Sequence, residues 1–289
     1  MKKFAVIAAS ALLWTGAATA ADLATMPTKA VAPAPAEPLW DLAFGVTATS
    51  DYVFRGISQT NNNPAIQGYA ELQLFNWVYF NVWASNQNWV QNFMVGPGAS
   101  SLEVDFSGGL RHTWGGLTVD VGGIYYSYPG GTDYSGVKST DYNYWEIYFK
   151  PSYAFTDWLT IGAALNWTSD FAATNTDGTA LSANFKATLP TFGPGAAFGW
   201  YVSGEFGHQW LDTSSYNYTN YFGLYTDIPG YNWWNVGLGF TYKAATLDLR
   251  YSGTDLGSQD CNYIIGNQNA CGSKFIASLS FATSFNQLK

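Results

Sequence analysis

The sequence predicts an all-β protein: a transmembrane antiparallel β-barrel of about 12 strands, with short periplasmic turns and long extracellular loops. Three observations support this fold. Short segments alternate apolar and polar residues, the connections between them alternate in length, and the chain combines 11% charged with 18% aromatic residues. Typical globular domains carry about 25% charged residues. Few charges and many aromatic rings are expected of a barrel whose outer face contacts lipid.

The alternation is clearest in residues 102–111. Leu102, Val104 and Phe106 share one face of this segment, while Glu103 and Asp105 share the other. Successive side chains of a strand point to opposite faces, so this period of two predicts a strand with one polar face. Similar alternation occurs near 41–55, 66–75, 77–86, 117–127, 142–152, 159–169, 181–189, 197–208, 233–242, 245–253 and 274–284.

The connections between these segments fall into two classes. Short links are expected at 76, 114–116, 156–157, 190–195 and 243–244. Long polar links are expected at 56–65, 87–101, 128–141, 170–179, 209–231 and 254–273. Short turns at one rim and long loops at the other are typical of outer-membrane barrels. A soluble sandwich has no reason to separate its loops in this way.

The first residues have the layout of a secretory signal peptide. Lys2 and Lys3 give a positive start, an apolar run follows at 4–14, and small residues at 18–20 form a cleavage site. About 11 apolar residues are too few for a spanning helix, which needs roughly 20. We expect a signal peptide at 1–20, a Pro/Ala-rich periplasmic leader at 21–38 and a barrel at 39–289, exported to the outer membrane.

The predicted register places one set of charged residues on the inner face of the barrel. Burial in a dry interior would be costly for unpaired ions, so we expect either a wet lumen or a dense network of ion pairs. The set contains eight acids and five bases, which predicts a modest preference for cations. Its members are Asp51, Arg55, Glu71, Glu103, Asp105, Arg111, Asp120, Glu146, Lys150, Lys186, Glu205, Asp248 and Arg250.

The segment 51–55 is expected to end the first strand near the extracellular mouth. Residues four apart on a strand face the same side, so Asp51 and Arg55 are expected inside, with Tyr52 and Phe54 outside. Two interpretations remain open for the inward pair. It forms either a narrow gate or a salt bridge that fixes the first long loop.

The two cysteines lie in one polar loop. Cys261 and Cys271 are ten positions apart, and neither histidine is near them in sequence. A metal site needs more ligands than this pair supplies. In an oxidising compartment the sequence therefore favours a local disulfide, with no metal.

The sequence predicts no catalytic residues and no cofactor. It contains no Gly-x-Ser-x-Gly elbow and no phosphate-binding loop. His208 is expected to point outward at the loop end of its strand, where a lipid-cleaving site could lie, but the sequence places no serine beside it. Loss of Lys2 and Lys3 with the signal changes the net charge from −8 to −10, so nucleic acid is not an expected partner.

Two stretches of the sequence are similar to a known family. Residues 50–59, Ser-Asp-Tyr-Val-Phe-Arg-Gly-Ile-Ser-Gln, followed by Pro-Ala-Ile-Gln-Gly at 64–68, resemble the opening of the TorF-type proteobacterial family. Tyr-Tyr-Ser-Tyr-Pro-Gly at 125–130 and the strand beginning at Trp145-Glu146 are similar to its middle. That family is described as outer-membrane porins, so the resemblance implies a location more than an activity.

We expect passive passage of small polar solutes or ions through a narrow lumen, with membrane lipid as the other partner. Two alternatives from other classes stay open: a sealed barrel with a structural or surface-interaction role, and an outer-membrane lipid hydrolase. Eight strands leave room for side chains alone and 16 leave an aqueous channel, so about 12 strands lie between.

Overall fold

The computed structural model describes residues 11–13, 23–25, 39–93, 100–130, 142–173, 176–212 and 230–288. Twelve antiparallel strands within them form one closed barrel, which confirms the predicted fold class. The last strand pairs with the first and closes the sheet, with Ser280 opposite Thr47. The strands are β1 (Trp40–Thr49), β2 (Ala65–Leu74), β3 (Val78–Asn86), β4 (Leu102–Trp114), β5 (Leu117–Ser127), β6 (Tyr144–Ala154), β7 (Leu159–Thr168), β8 (Gly178–Phe192), β9 (Phe198–Leu211), β10 (Tyr231–Tyr242), β11 (Ala245–Thr254) and β12 (Lys274–Ser284).

The remaining elements are short. Two helices, α1 (Trp89–Phe93) and α2 (Ser258–Ile265), lie in long loops, and 3₁₀ turns occur at Phe171–Ala173, Pro194–Ala196 and Phe285–Gln287. Among the described residues, no helix is both long enough and apolar enough to span a membrane.

A separate strand pair joins Ala11–Leu13 to Leu23–Thr25. The rest of 1–38 lies outside the described residues. The signal peptide and the periplasmic leader therefore stay predictions.

The two faces of the barrel wall differ in chemistry, as the period of two requires. Along β4, Phe106 and Leu110 are about half exposed on the outer face, whereas Glu103, Asp105 and Ser107 are buried on the inner face. An apolar band of this kind continues around the outer surface on the other strands. A closed barrel with an apolar exterior is the architecture of Gram-negative outer-membrane proteins, because it leaves no backbone group unpaired toward lipid.

Aromatic rings pack against one another at both rims of the band. At the rim of the short turns, Trp77 packs edge-on against Trp114 with ring centroids 5.6 Å apart. At the opposite rim, Trp145 contacts Trp167 with centroids 5.5 Å apart. Amphipathic rings favour the membrane–water interface, so these two rims mark its two boundaries.

The first strand ends earlier than the sequence indicated. The segment 41–55 was expected to form one strand, but β1 stops at Thr49. The chain then folds into the lumen as a small hairpin that pairs Val53–Phe54 with Ile57–Ser58. We call residues 50–60 the lumen hairpin. The prediction that Tyr52 and Phe54 face outward is wrong, because both side chains are buried inside the barrel.

The lumen hairpin turns on two residues with positive φ. Arg55 has φ 44° and Gly56 has φ 81°. A Cβ atom at Gly56 would lie 2.4 Å from Cγ2 of Thr254 and 2.8 Å from the carbonyl oxygen of Gly253. Only glycine therefore permits both the left-handed backbone and the close approach of the hairpin to β11.

A disulfide joins Cys261 and Cys271, whose Cα atoms are 5.8 Å apart. The loop that it closes contacts the lumen hairpin. The backbone N–H of Ser58 donates to the carbonyl of Ala270 at 2.9 Å, and the side chain of Asn267 donates at 2.8 Å to Asn61, the residue that follows the hairpin. The bridge therefore stiffens a loop that supports the hairpin.

Replacing Cys261 and Cys271 together by serine is expected to remove about 2–3 kcal/mol, since the bridge closes a loop of about ten residues. Mass spectrometry of the non-reduced peptide tests the bridge, and protease sensitivity of the loop 255–273 tests its effect. Two free thiols in the exported protein would contradict this prediction.

Candidate functional site in the barrel lumen

The predicted lining residues lie inside the barrel. Of these residues, Lys150 and Glu205 are half-buried, Arg111 is largely buried, and the rest are buried. Their role as a lining for solutes remains a prediction. Their contacts place most of them in three groups: one near the short turns, one on the opposite wall and one near the long loops.

The first cluster lies near the short turns and is centred on Arg111. Its guanidinium contacts Glu71 at 3.0 Å and Asp120 at 2.9 Å. It also lies over the ring of Tyr79, 4.1 Å from the centroid. The hydroxyl of Tyr79 donates to Asp120 and contacts the hydroxyl of Tyr148. One base thus balances two acids across β2, β4 and β5.

A second cluster lies on the opposite wall. Arg250 contacts Asp248 through two hydrogen bonds of 3.1 and 3.0 Å, and it also donates to Asn235 and to Ser203. Nζ of Lys186 lies 3.6 Å from the centroid of the Tyr201 ring. Within the described residues this Nζ has no hydrogen-bond partner. Asn235 also donates a hydrogen bond of 3.2 Å to Glu205, so the cluster contains two bases and two acids.

Arg55, at the tip of the lumen hairpin, crosses the lumen. Its guanidinium forms two parallel bonds to Glu146, at 2.8 and 2.7 Å, and a further bond of 2.8 Å to Gln209. Glu146 lies on β6 and Gln209 on β9, and no sequence pattern predicts that one side chain contacts both strands. A bidentate pair fixes orientation as well as charge. Arg55 therefore holds the hairpin across the barrel.

Asp51 fixes the base of the same hairpin. Its carboxylate accepts hydrogen bonds from Ser58 at 2.6 Å and Thr60 at 2.8 Å, and it lies 3.5 Å from Nζ of Lys274. Burial raises the pKa of Asp51 above its ordinary value, and these contacts offset only part of that rise. Asp51 and Arg55 have different partners, so the hypothesis of a salt bridge between them is wrong.

Glu103 and Asp105 form an acidic pair near the long loops. Both side chains are buried on the inner face of β4, two positions apart. Oε1 of Glu103 accepts a hydrogen bond of 3.0 Å from the hydroxyl of Tyr52. Oε2 of Glu103 and both carboxylate oxygens of Asp105 have no hydrogen-bond partner in the described part of the chain. No ion pair joins either acid to a base among the described residues.

A cavity opens above this acidic pair on the long-loop side, and we call it the mouth pocket. The centre of a water-sized sphere can occupy about 40 Å³ of it. Its wall is mainly aromatic and aliphatic, with Glu103 as the charged member. The lining residues are Tyr52, Phe54, Ile57, Gln59, Trp89, Glu103, Tyr126, Tyr128, Tyr144, Phe171, Ala172, Tyr231, Ile264 and Ile265.

The rings of the mouth pocket hold one another in place. Tyr126 and Tyr144 are stacked with centroids 4.4 Å apart, and Trp89 meets Tyr128 edge-on at 5.1 Å. Sequence reasoning considered only charged inward residues and missed these tyrosines. Their inward position was available from the register, because Tyr125 and Tyr126 must lie on opposite faces of β5. Trp89 is on α1, whose approach to the barrel no strand pattern predicts.

His208 does not complete a hydrolytic site with the residues that it contacts in the described structure. Its Nδ1 is 2.8 Å from Oδ1 of Asn232, and its ring packs against Trp210. Neither neighbour can act as a nucleophile. Across the described residues, no group of three His, Cys, Asp or Glu side chains is placed to hold a metal ion.

Solved structures with a similar chain path include three outer-membrane proteins. The KdgM porin in complex with disordered oligogalacturonate has 8% identity and a TM-score of 0.47, covering 83% of this chain and 98% of its own. The NanC porin has 11% identity and a TM-score of 0.45, covering 84% and 98%. The COG4313 outer membrane channel from Pseudomonas putida F1 has 9% identity and a TM-score of 0.44, covering 88% and 100%. Identities of this size say nothing about the solute.

Sequence comparison gives a family but no activity. No curated protein matches the chain. A family model described as "Bacterial protein of unknown function (Gcw_chp)" matches residues 33–281, which is nearly the whole barrel. The chain therefore belongs to the Gcw_chp family.

Proposed function

We propose that this protein is a narrow outer-membrane channel for the passive passage of small polar solutes, with a modest preference for cations. One observation carries the proposal: the inner face of the barrel is lined by charged and polar side chains, and the acidic pair Glu103–Asp105 has no compensating base among its described contacts. A wet path is the arrangement in which such groups cost least. The proposal also includes export by the secretory pathway and a relationship to the TorF-type family of outer-membrane porins.

The lumen hairpin makes any such path narrow. It places ten consecutive buried residues, 51–60, across the barrel, and Arg55 anchors it to two walls. A channel of this shape would pass ions and small solutes and exclude large ones. The hairpin acts as a constriction rather than as part of the wall.

A sealed barrel is the second candidate, and the packing of the lumen favours it. Arg55, Glu146 and Asp248 are each at most 5% exposed. Current across a planar bilayer separates the two candidates. Discrete single-channel steps from the refolded protein support the channel, and a silent membrane that contains folded barrel supports the sealed alternative.

Cation preference provides a sharper test. Replacing Glu103 by glutamine and Asp105 by asparagine should lower the cation-to-anion permeability ratio. One unit charge about 4 Å from an ion in water contributes about 1 kcal/mol, which corresponds to about fivefold in local concentration. The measurement is the reversal potential across a salt gradient, and the shift should shrink at high salt.

Asp157→Asn is the matched control for this test. Asp157 is exposed in the short turn 155–158, so the change removes one charge from the protein without altering the lumen. Its reversal potential should equal that of the wild type. Anion preference in the wild type would show that the lining proposed here is wrong.

A further inference from the structure

The mouth pocket combines two features that suit a cationic ligand. Glu103 lines the pocket, is 2% exposed, and leaves Oε2 without a hydrogen-bond partner among the residues described. Asp105, two positions further along β4, is fully buried, and neither of its carboxylate oxygens has a hydrogen-bond partner among the residues described. Buried carboxylates without partners are costly, and a bound cation removes that cost.

Neither of the two neighbouring bases pairs with Glu103 or Asp105. Arg55 uses its guanidinium on Glu146 and Gln209, at distances of 2.7 to 2.8 Å. Lys274 lies on the other side of the hairpin base and contacts Asp51, Asn62 and the carbonyl of Ala270. Neither base therefore compensates Glu103 or Asp105 within the described structure.

The rest of the pocket wall selects the kind of cation. Apart from Glu103 and Gln59, its side chains are aromatic or aliphatic, and they include Trp89, Tyr126, Tyr128 and Tyr144. Aromatic faces attract ammonium groups, and cages of such rings bind methylated ammonium ions. Ca²⁺ and Mg²⁺ need six or more oxygen ligands, and this wall offers one carboxylate, that of Glu103.

The size of the pocket limits the ligand to a small head group. One water molecule needs about 10–15 Å³ of the space available to its centre, and the mouth pocket has about 40 Å³. A nitrogen with a few methyl groups fits a volume of that order. The remainder of a larger amine would extend toward the long loops.

We propose that the mouth pocket binds a small alkylammonium ion, whose N–H donates to Oε2 of Glu103 while its methyl groups contact the surrounding rings. The ion compensates one charge of the acidic pair and occupies the extracellular entrance of the lumen. This inference does not depend on conduction: a sealed barrel with the same pocket would bind the same ligand.

Trimethylammonium is the most informative probe, because it offers one N–H for Glu103 and three methyl groups for the rings. Binding to the full mature protein, refolded in a sugar-headed detergent, is followed by saturation-transfer NMR of the methyl signal at neutral pH and constant ionic strength. A choline or amine-oxide detergent would compete with the probe. tert-Butyl alcohol, similar in shape but uncharged, should bind at least tenfold more weakly.

Glu103→Gln tests the charged contact. The substitution preserves shape and removes a charge whose Oε2 has no described partner, so the barrel should still fold. Loss of one charge-assisted hydrogen bond should weaken trimethylammonium binding about tenfold. Trp89→Leu should weaken it by about fivefold through loss of a cation–π contact. Asp157→Asn, far from the pocket, should bind as the wild type does.

Three results would overturn the proposal: no saturable binding, equal affinity for the uncharged probe, or a Glu103→Gln variant that binds as well as the wild type. Bilayer current is measured on the same preparations. Binding without current leaves this inference intact and argues against the channel. Current without binding supports the channel and contradicts this inference.

Discussion

Replacement of Arg55 by methionine should destabilise the barrel and increase its conductance. The variant leaves Glu146 buried without its bidentate partner, which costs about 3–5 kcal/mol. It also detaches the tip of the lumen hairpin from β6 and β9. Chemical unfolding in detergent measures the first effect, and single-channel recording measures the second, which we expect to be a severalfold larger current step.

Arg111→Met separates the two effects. Arg111 is also paired with buried acids, at 3.0 Å to Glu71 and 2.9 Å to Asp120, so its loss should cost a similar free energy of unfolding. It does not contact the lumen hairpin in the described structure. Its current step should therefore grow much less than that of Arg55→Met.

A double variant distinguishes loss of the pair from strain elsewhere. When both partners of a buried ion pair are replaced by apolar groups of similar volume, stability is often recovered. Arg55→Met with Glu146→Met should thus unfold at a denaturant concentration near that of the wild type. An Arg55→Met variant with unchanged stability and unchanged current would mean that Arg55 does not anchor the hairpin.

The wall of the barrel could be predicted from the sequence because its signals are local. Alternation in 102–111 reports the inward side of Glu103 and Asp105 directly, since the backbone geometry of a strand fixes the two faces. The lengths of the connections likewise indicate at which rim each strand ends, because they too are read directly along the chain. Neither inference needs knowledge of which strands meet across the barrel.

The interior could not be predicted in the same way. Residues 51–55 continue the period of two, yet the chain leaves the wall after Thr49 and reverses at Arg55-Gly56. The reversal is stabilised by contacts between residues 91 and 154 positions apart, Arg55 with Glu146 and with Gln209. Long-range pairs of this kind leave no periodic signal. The glycine after Arg55 was the one local indication of a turn.

The outer face is tested by the second large effect, from Phe106→Arg. Phe106 lies on the lipid-facing side of β4 and is 51% exposed there, close to the middle of the strand. An arginine near the bilayer midplane of a barrel costs about 2–4 kcal/mol. The variant should fold into lipid vesicles with a correspondingly lower free energy, measured by heat-modified gel mobility or tryptophan fluorescence during urea titration.

The depth of the substitution decides its cost, so the same change at the rim is the control. Phe275 is 83% exposed on β12 beside the long loops, and Tyr251 packs against its ring with centroids 5.0 Å apart. Phe275→Arg should cost only about 0–1 kcal/mol, because arginine near the interface reaches water and lipid head groups. Phe106→Leu should leave folding nearly unchanged, since it keeps the position apolar. Equal costs for arginine at 106 and 275 would contradict a membrane band centred at the depth of Phe106, because a barrel in water would show no dependence on depth.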